Sequence, residues 1–299
     1  MIDNITIVQE IKQPIANLNA QYEPFVWNGL LYTPIYKNGA VQKFESQLGN
    51  LRLRLHPFSN KLSLSNSIHT FWNGYNYDDF SLSTMKTSID SISDTTNIDW
   101  RSAVLKKLEY GCTINANAFQ IYSNLESYKD KPFQPMYVSN GKEYGRCCGF
   151  EDYRIKGYDK TFQINQTRGI KLNTALFRWE IAVSRMRNIE RLFNSSPIIV
   201  SDVLIEKNWK ILADDALKRY RNALKTKIIL WHKISNPHYK RVMAAMMNDQ
   251  IRKDLKFHHK KTYLRDRAIY RRILEDNSLS YEDEAIVLLE RKFEELRCK

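Results

Sequence analysis

The chain has 299 residues, 43% of them apolar and 12% aromatic, which excludes a disordered polymer and allows a sizeable core. No stretch approaches the ~18 consecutive apolar residues of a membrane span. The start, "MIDNITIVQEIKQ", has no basic segment followed by an apolar one, so no secretory signal is expected and the expected setting is soluble and cytoplasmic.

In chain order, "NITIVQE" and "LLYTPIYKNG" read as strands, the second ending in a turn at Asn38-Gly39. In "LRLRLHPF", Leu51, Leu53 and Leu55 alternate with Arg52, Arg54 and His56. After a Ser59-Asn60 turn, "KLSLSNSI" alternates again, giving a hairpin with one buried and one wet face. Leu82, Met85, Ile89 and Ile92 then recur at helical spacing, with Ser81 or Ser83 as cap. Further strands are expected at 106–115, 152–160 and 176–183, separated by loops such as "SNGKEYG" and a short helix at 119–128. From about 185 the period turns helical. One or two helices cover 206–234, Asn236-Pro237 breaks them, another run covers 238–276, and Ser280-x-x-Asp283 opens a last helix. The expected fold class is α+β: an antiparallel sheet with packed helices over 1–195, then a basic helical region over 196–299.

The positive charge is uneven. Residues 1–170 carry 18 Lys and Arg against 16 Asp and Glu, whereas 218–272 carry 17 against 3 and so outweigh the net +13 of the whole chain. Such a concentration marks a polyanion partner. A membrane surface would need a broad apolar face that this segment lacks, so nucleic acid is the expected partner. Tyr239, Phe257, Tyr263 and Tyr270 in this segment could stack on unpaired bases or fill helix interfaces. The cysteines, Cys112, the adjacent Cys147-Cys148, and Cys298, form no CxxC and read as free buried thiols. The pair His258-His259 has no partner at metal spacing.

Strand parity gathers a candidate site. In 152–160, Tyr153 and Ile155 point one way while Arg154, Lys156 and Tyr158 point the other. In 176–183, Arg178 and Glu180 oppose the apolar Phe177, Trp179, Ile181 and Val183, and in 107–115 Glu109 opposes Leu108 and Tyr110. If these strands share a sheet, its open face collects Glu109, Lys156, Tyr158, Arg178 and Glu180. Two carboxylates, aided by Asp159 or His69, could hold Mg²⁺ or Mn²⁺. Neighbouring cations such as Arg154, Lys156 or Lys160 would favour a phenolate at Tyr158. A half-exposed sheet with charged outer residues gives the same pattern without any chemistry.

The segments "SIHTFWNGYNYDDFS" (67–81), "KLEYGCTIN" (107–115), "IKGYDKT" (155–161) and "FRWEIAV" (177–183), in that order, resemble the rolling-circle replication initiators of phages and plasmids. The group they are most similar to includes the filamentous-phage gene II endonucleases and related plasmid Rep proteins. The resemblance implies a metal-dependent nickase that cuts one strand of a replication origin and joins its 5′ end to a tyrosine. Tyr158 would be the nucleophile, with Lys160 as a phosphate contact or charge stabiliser. Glu109 and Glu180 would be ligands of Mg²⁺ or Mn²⁺, with His69 a further candidate where the group commonly has lysine. Arg178, Lys156 and Arg154 would contact the strand. Lys260, Lys261, Arg265, Arg271 and Arg272 of the basic region would hold duplex or single-stranded origin DNA, and a host helicase is an implied partner. Two alternatives share parts of this pattern: a non-catalytic nucleic-acid-binding protein using the basic helices, and a conjugative relaxase with the same chemistry.

Overall fold

Alternating apolar positions become strands of one large antiparallel sheet. The computed structural model describes residues 1–11, 23–139, 141–225, 233–275 and 283–298, with the side chains of 249, 274 and 275 left aside. The strands are β1 (Ile2–Glu10), β2 (Phe25–Trp27), β3 (Leu30–Lys37), β4 (Ala40–Leu48), β5 (Leu51–His56), β6 (Lys61–Ser67) and β7 (Val104–Asn115). There follow β8 (Leu125–Tyr128), β9 (Lys131–Pro132), β10 (Gln134–Tyr137), β11 (Glu143–Gly149), β12 (Tyr153–Asp159), β13 (Leu176–Val183) and β14 (Leu224–Lys225). Among the described residues eleven of them form the order β10-β11-β12-β13-β7-β1-β6-β5-β4-β3-β2, while β14, β8 and β9 make a small second sheet.

The expected hairpin is β5–β6, paired so that Leu53 faces Leu64 and Leu55 faces Leu62, all buried. Asn38 and Gly39 both take positive φ, the backbone of a tight hairpin turn, and join β3 to β4. The strand β4 is not expected from the sequence: "AVQKFESQL" buries only Val41, Phe44 and Ser46, too sparse an apolar set to announce itself. The "SNGKEYG" loop is likewise shorter than expected, because β11 begins at Glu143.

Helix α1 (Ile68–Asn73) is capped by Ser67, and α2 (Leu82–Thr96) by Ser81, which accepts from the Thr84 amide at 3.2 Å. Leu82, Met85, Ile89 and Ile92 of α2 are buried at helical spacing, each worth roughly 1.5–3 kcal/mol of burial. Short helices α3 (Ala118–Tyr122) and α4 (Lys160–Arg168) connect strands, the expected helix at 119–128 giving way to β8 after Tyr122, while α5 (Arg187–Phe193) and α6 (Val200–Val203) lead from β13 to the next helix.

The expected boundary at 195/196 does not coincide with the edge of the core. α7 (Glu206–Asn222) lays Trp209, Leu212, Ala216 and Tyr220 on the sheet, and the Trp179 indole donates to the Ala216 carbonyl at 3.0 Å. α11 (Glu284–Cys298) adds Ala285, Leu289, Phe293 and Leu296 to the same core. Both helices carry an apolar stripe wide enough to need covering. The expected Ser280 cap lies outside the described residues.

The long basic run is three helices: α8 (Pro237–Met247), α9 (Asp249–His258) and α10 (Lys260–Glu275). Asn248 ends the first and caps the second, accepting from the Gln250 and Ile251 amides, both at 3.1 Å. A separate small core of Ile234, Val242, Met243, Met246, Tyr270 and Ile273 joins α8 to α10. Arg252 and the Tyr270 hydroxyl, the latter at 2.8 Å, both reach the Glu126 carboxylate on β8 and tie this unit to the sheet domain. The four cysteines are free, as expected, but only Cys112 and Cys148 are buried; Cys298 is exposed.

Candidate active site

Strands β12, β13 and β7 are neighbours, with Lys156 opposite Glu180, Tyr158 opposite Arg178, and Glu180 opposite Gly111. No register shift interrupts β12 at Gly157, so parity holds along it. Tyr153 turns to the core, against the Phe150 ring at 4.9 Å and under the Arg219 guanidinium at 4.1 Å. Lys156 and Tyr158 turn to the other face.

There the side chains meet. The Lys156 ammonium lies 2.6 Å from Glu180 Oε1 and 3.3 Å from Glu109 Oε1. The Tyr158 hydroxyl donates to Glu180 Oε2 at 3.2 Å, and Arg178 Nε donates to the same oxygen at 2.9 Å. Gly111 permits the close approach of β7 and β13: a Cβ there would stand 2.0 Å from the Trp179 carbonyl oxygen and 2.8 Å from Glu180 Cα.

Residues to which the sequence assigns no role complete the cluster. Arg178 Nη2 donates to Asp3 Oδ2 at 2.9 Å, and Nη1 to the Asn76 carbonyl at 3.1 Å. Asn76 spans the site, donating to Asp3 Oδ2 at 2.9 Å and accepting from the Lys160 ammonium at 3.0 Å. Lys160 also reaches Gln163 at 2.9 Å, and Arg168 donates to the Gly74 carbonyl at 2.7 Å. A register shift between Ile2 and Ile5 lets both Asp3 and Asn4 face the same polar cavity of about 330 Å³, shared with Glu109, Lys156, Tyr158 and Lys160. An acidic residue interrupting the alternation of "IDNITI" is the available signal for Asp3; Asn76 opens the Asn-x-x-Asp-Phe run within the 67–81 segment of the resemblance, which gives it no role.

The face is therefore not the wet one that parity alone suggested. Tyr158, Lys160, Arg178 and Glu180 are each less than 5% exposed, because the 74–79 loop and α4 close over them. Burial and the Glu180 charge push the Tyr158 phenol well above its ordinary pKa. The expected phenolate is thus absent at rest: Lys156 is committed to the two glutamates, and Arg154 is exposed at the far end of β12. Burial, then Arg178, brings Lys160 down to about 7. Burial would raise Glu180, but Lys156 and Arg178 outweigh it and hold the carboxyl at about 2. Glu109 moves the other way, up to about 7, through burial and the Glu180 charge.

His69 does not join the two glutamates. Its Nε2 is 2.6 Å from Asp78 Oδ1 and its ring stacks on Phe80 at 4.7 Å. Burial lowers it to about 4 against the opposing pull of Asp3 and Asp78. Asp159 is used as the α4 cap, accepting from the Phe162 amide at 2.8 Å. Among the described residues no three His, Cys, Asp or Glu side chains converge as a metal cluster. Glu109 and Glu180 share the Lys156 ammonium, and burial with the Glu180 charge still raises Glu109. Two hard carboxylate donors suit Mg²⁺ or Mn²⁺ when water and phosphate oxygens supply the rest.

In the basic region Lys260, Lys261, Arg265, Arg271 and Arg272 are all exposed on α10. Arg265 lies 3.2 Å from Asp266, and Arg271 3.7 Å from Asp130. Of the four aromatics there, Tyr270 is buried and Phe257 is 77% exposed, with Tyr239 and Tyr263 between these extremes. Among the described residues no helix is long and apolar enough to cross a membrane. Neither protein-family models nor curated proteins give a match to this chain.

Proposed function

We propose that this protein is a replication initiator that nicks one strand of origin DNA through a covalent 5′-phosphotyrosyl intermediate at Tyr158. The observation that carries the reading is the convergence of Tyr158, Glu180, Lys156, Lys160 and Glu109 on one polar cavity, from elements far apart in sequence, with Arg178 bonded to Glu180 beside it. The resemblance in the four segments gives these residues their roles.

In the proposed reaction the Tyr158 oxygen forms a bond to phosphorus as the P–O3′ bond breaks. The 5′ end becomes joined to the protein, and the 3′ oxygen leaves and is protonated. Because the phenol is protonated at rest, its proton must be taken during attack. Glu180, held at about 2, is a weak base and fixes the hydroxyl's orientation through the 3.2 Å hydrogen bond. Lys160 lines the same cavity and is brought down to about 7 by burial, and it is the group we assign to take the Tyr158 proton and pass it to the departing 3′ oxygen. Lys156 and Arg178 supply fixed positive charge for the phosphate. Mg²⁺ or Mn²⁺, held by Glu109 and Glu180, would polarise a phosphodiester oxygen. Burial of Tyr158 requires an unpaired, extended strand and displacement of the 74–79 loop. The exposed cations of α10 would neutralise neighbouring phosphates.

The test is incubation of the protein with origin-bearing supercoiled DNA and Mg²⁺ or Mn²⁺. Relaxed circles and a protein–DNA adduct that survives denaturant are expected. Their loss in Tyr158→Phe is required, and equal nicking by that variant removes Tyr158 from the role. A second reading, a non-catalytic nucleic-acid-binding protein, is favoured by the burial of Tyr158. It predicts binding without nicking on any origin. A conjugative relaxase would show the same adduct but act on a transfer origin.

A further inference from the structure

A second cavity, of about 250 Å³, lies between the β8–β9 hairpin and the α9–α10 helices, away from Tyr158. Its volume falls below the ~300 Å³ at which small-molecule sites usually begin, so it suits one planar ring with a short polar arm rather than a larger cofactor. Its composition is unusual for a surface hollow. The Phe257 ring, 77% exposed, and the Tyr263 ring stand in it beside Arg252, Lys253, Lys256 and Arg267.

The helical repeat explains the grouping. Residues 252 and 256, and 253 and 257, are four apart on α9, while 263 and 267 are four apart on α10. Each helix therefore brings one aromatic and at least one cation to the same hollow. Two of the arginines are held in place by carboxylates: Arg252 by Glu126, and Arg267 by Asp130. With Lys253 and Lys256 the cavity has four cations against the Glu126 and Asp130 carboxylates that also line it, so its rim is net positive.

We infer that this cavity takes a single unpaired nucleotide of single-stranded DNA, its base on Phe257 and Tyr263 and its phosphate on Lys253 and Lys256. An aromatic face with no hydrogen-bond demand accepts any base, and adjacent cations accept the phosphate, which is the chemistry of strand binding without sequence readout. The inference rests on the reading that the chain works on DNA, but not on the chemistry at Tyr158. It gives the basic helices a role beyond neutralising phosphates: they hold one strand apart after the duplex opens.

The test uses full-length Tyr158→Phe protein, so that binding is measured without cleavage, and fluorescence anisotropy with labelled oligo-dT, the matching RNA and a duplex of equal length. Phe257→Ala is expected to weaken oligo-dT binding about tenfold, the effect of losing one base stack, with duplex affinity within about twofold. Phe257→Trp should restore it, which a merely structural defect would not allow. An abasic strand should be insensitive to the Phe257 change. Equal losses for duplex and single strand, or no loss at all, would overturn the proposal, and tighter binding of the RNA would overturn its assignment to DNA. If wild type never nicks yet Phe257 governs single-strand affinity, the nickase reading fails and this site stands. Nicking with Phe257-independent binding gives the reverse.

Discussion

Replacing Arg178 by Met gives the sharpest test of how the candidate site is held together. The guanidinium bonds Glu180 at 2.9 Å, Asp3 at 2.9 Å and the Asn76 carbonyl at 3.1 Å, with only 3% of the residue exposed. Its loss leaves Glu180 bonded to the Lys156 cation, and Asp3 to the neutral Ser67 and Asn76 donors. Breaking a buried pair in this way costs roughly 3–5 kcal/mol. The depression of Glu180 to about 2 is shared between Lys156 and Arg178, so part of it is lost with the guanidinium. The sign follows from the depressed pKa. That stabilisation is complete above about pH 4.5 and is lost as the pH falls toward about 2. In Arg178→Met the carboxyl protonates at higher pH, so the deficit against wild type should shrink as the pH drops from 7 to 4. Urea denaturation at pH 7, 5.5 and 4 reads this directly. A deficit under about 1 kcal/mol at pH 7, or one that does not change with pH, would refute the account of the cluster.

The remaining expectations concern chemistry and packing. Nicking rate should climb as the pH rises through about 7, as Lys160 loses its proton; Lys160→Arg should remove that limb, and a profile unchanged by the substitution would take the proton-accepting role from Lys160. Chelation by EDTA, or Glu109→Ala, should abolish nicking while leaving oligonucleotide affinity within about twofold, checked by gel assay and anisotropy. Gly111→Ala should destabilise by at least ~1–3 kcal/mol, since its Cβ would meet the β13 backbone; thermal unfolding measures this, and a neutral result would mean the two strands can separate at little cost.

Much of the sheet was legible because period-2 patterning is local. Leu51, Leu53, Leu55, Leu62 and Leu64 announce β5 and β6, and Ser81 announces α2. The same parity brought Glu109, Lys156, Tyr158, Arg178 and Glu180 to one face, where the structure has them. What closes that face was not legible. Asn76 binds residues at positions 3, 160 and 178 through contacts no sequence window contains, so the site appeared wet when it is buried. The sequence around His69 matches the resemblance and makes it a candidate ligand, but Asp78, nine residues on, takes its ring nitrogen. The sequence over 238–276 reads as one longer run because charge is continuous across Asn248 and His259. The Asn248 cap, followed by the Gln250 and Ile251 amides it accepts from, was a usable signal for the break.

The most direct measurement is to trap the protein–DNA adduct on an origin strand, digest both partners and locate the nucleotide-bearing peptide by mass spectrometry. The account predicts a phosphodiester on Tyr158, in the peptide spanning Gly157–Asp159. A nucleotide on Tyr153 or Tyr263, or cleavage that leaves a free 5′ phosphate and no adduct, would contradict it.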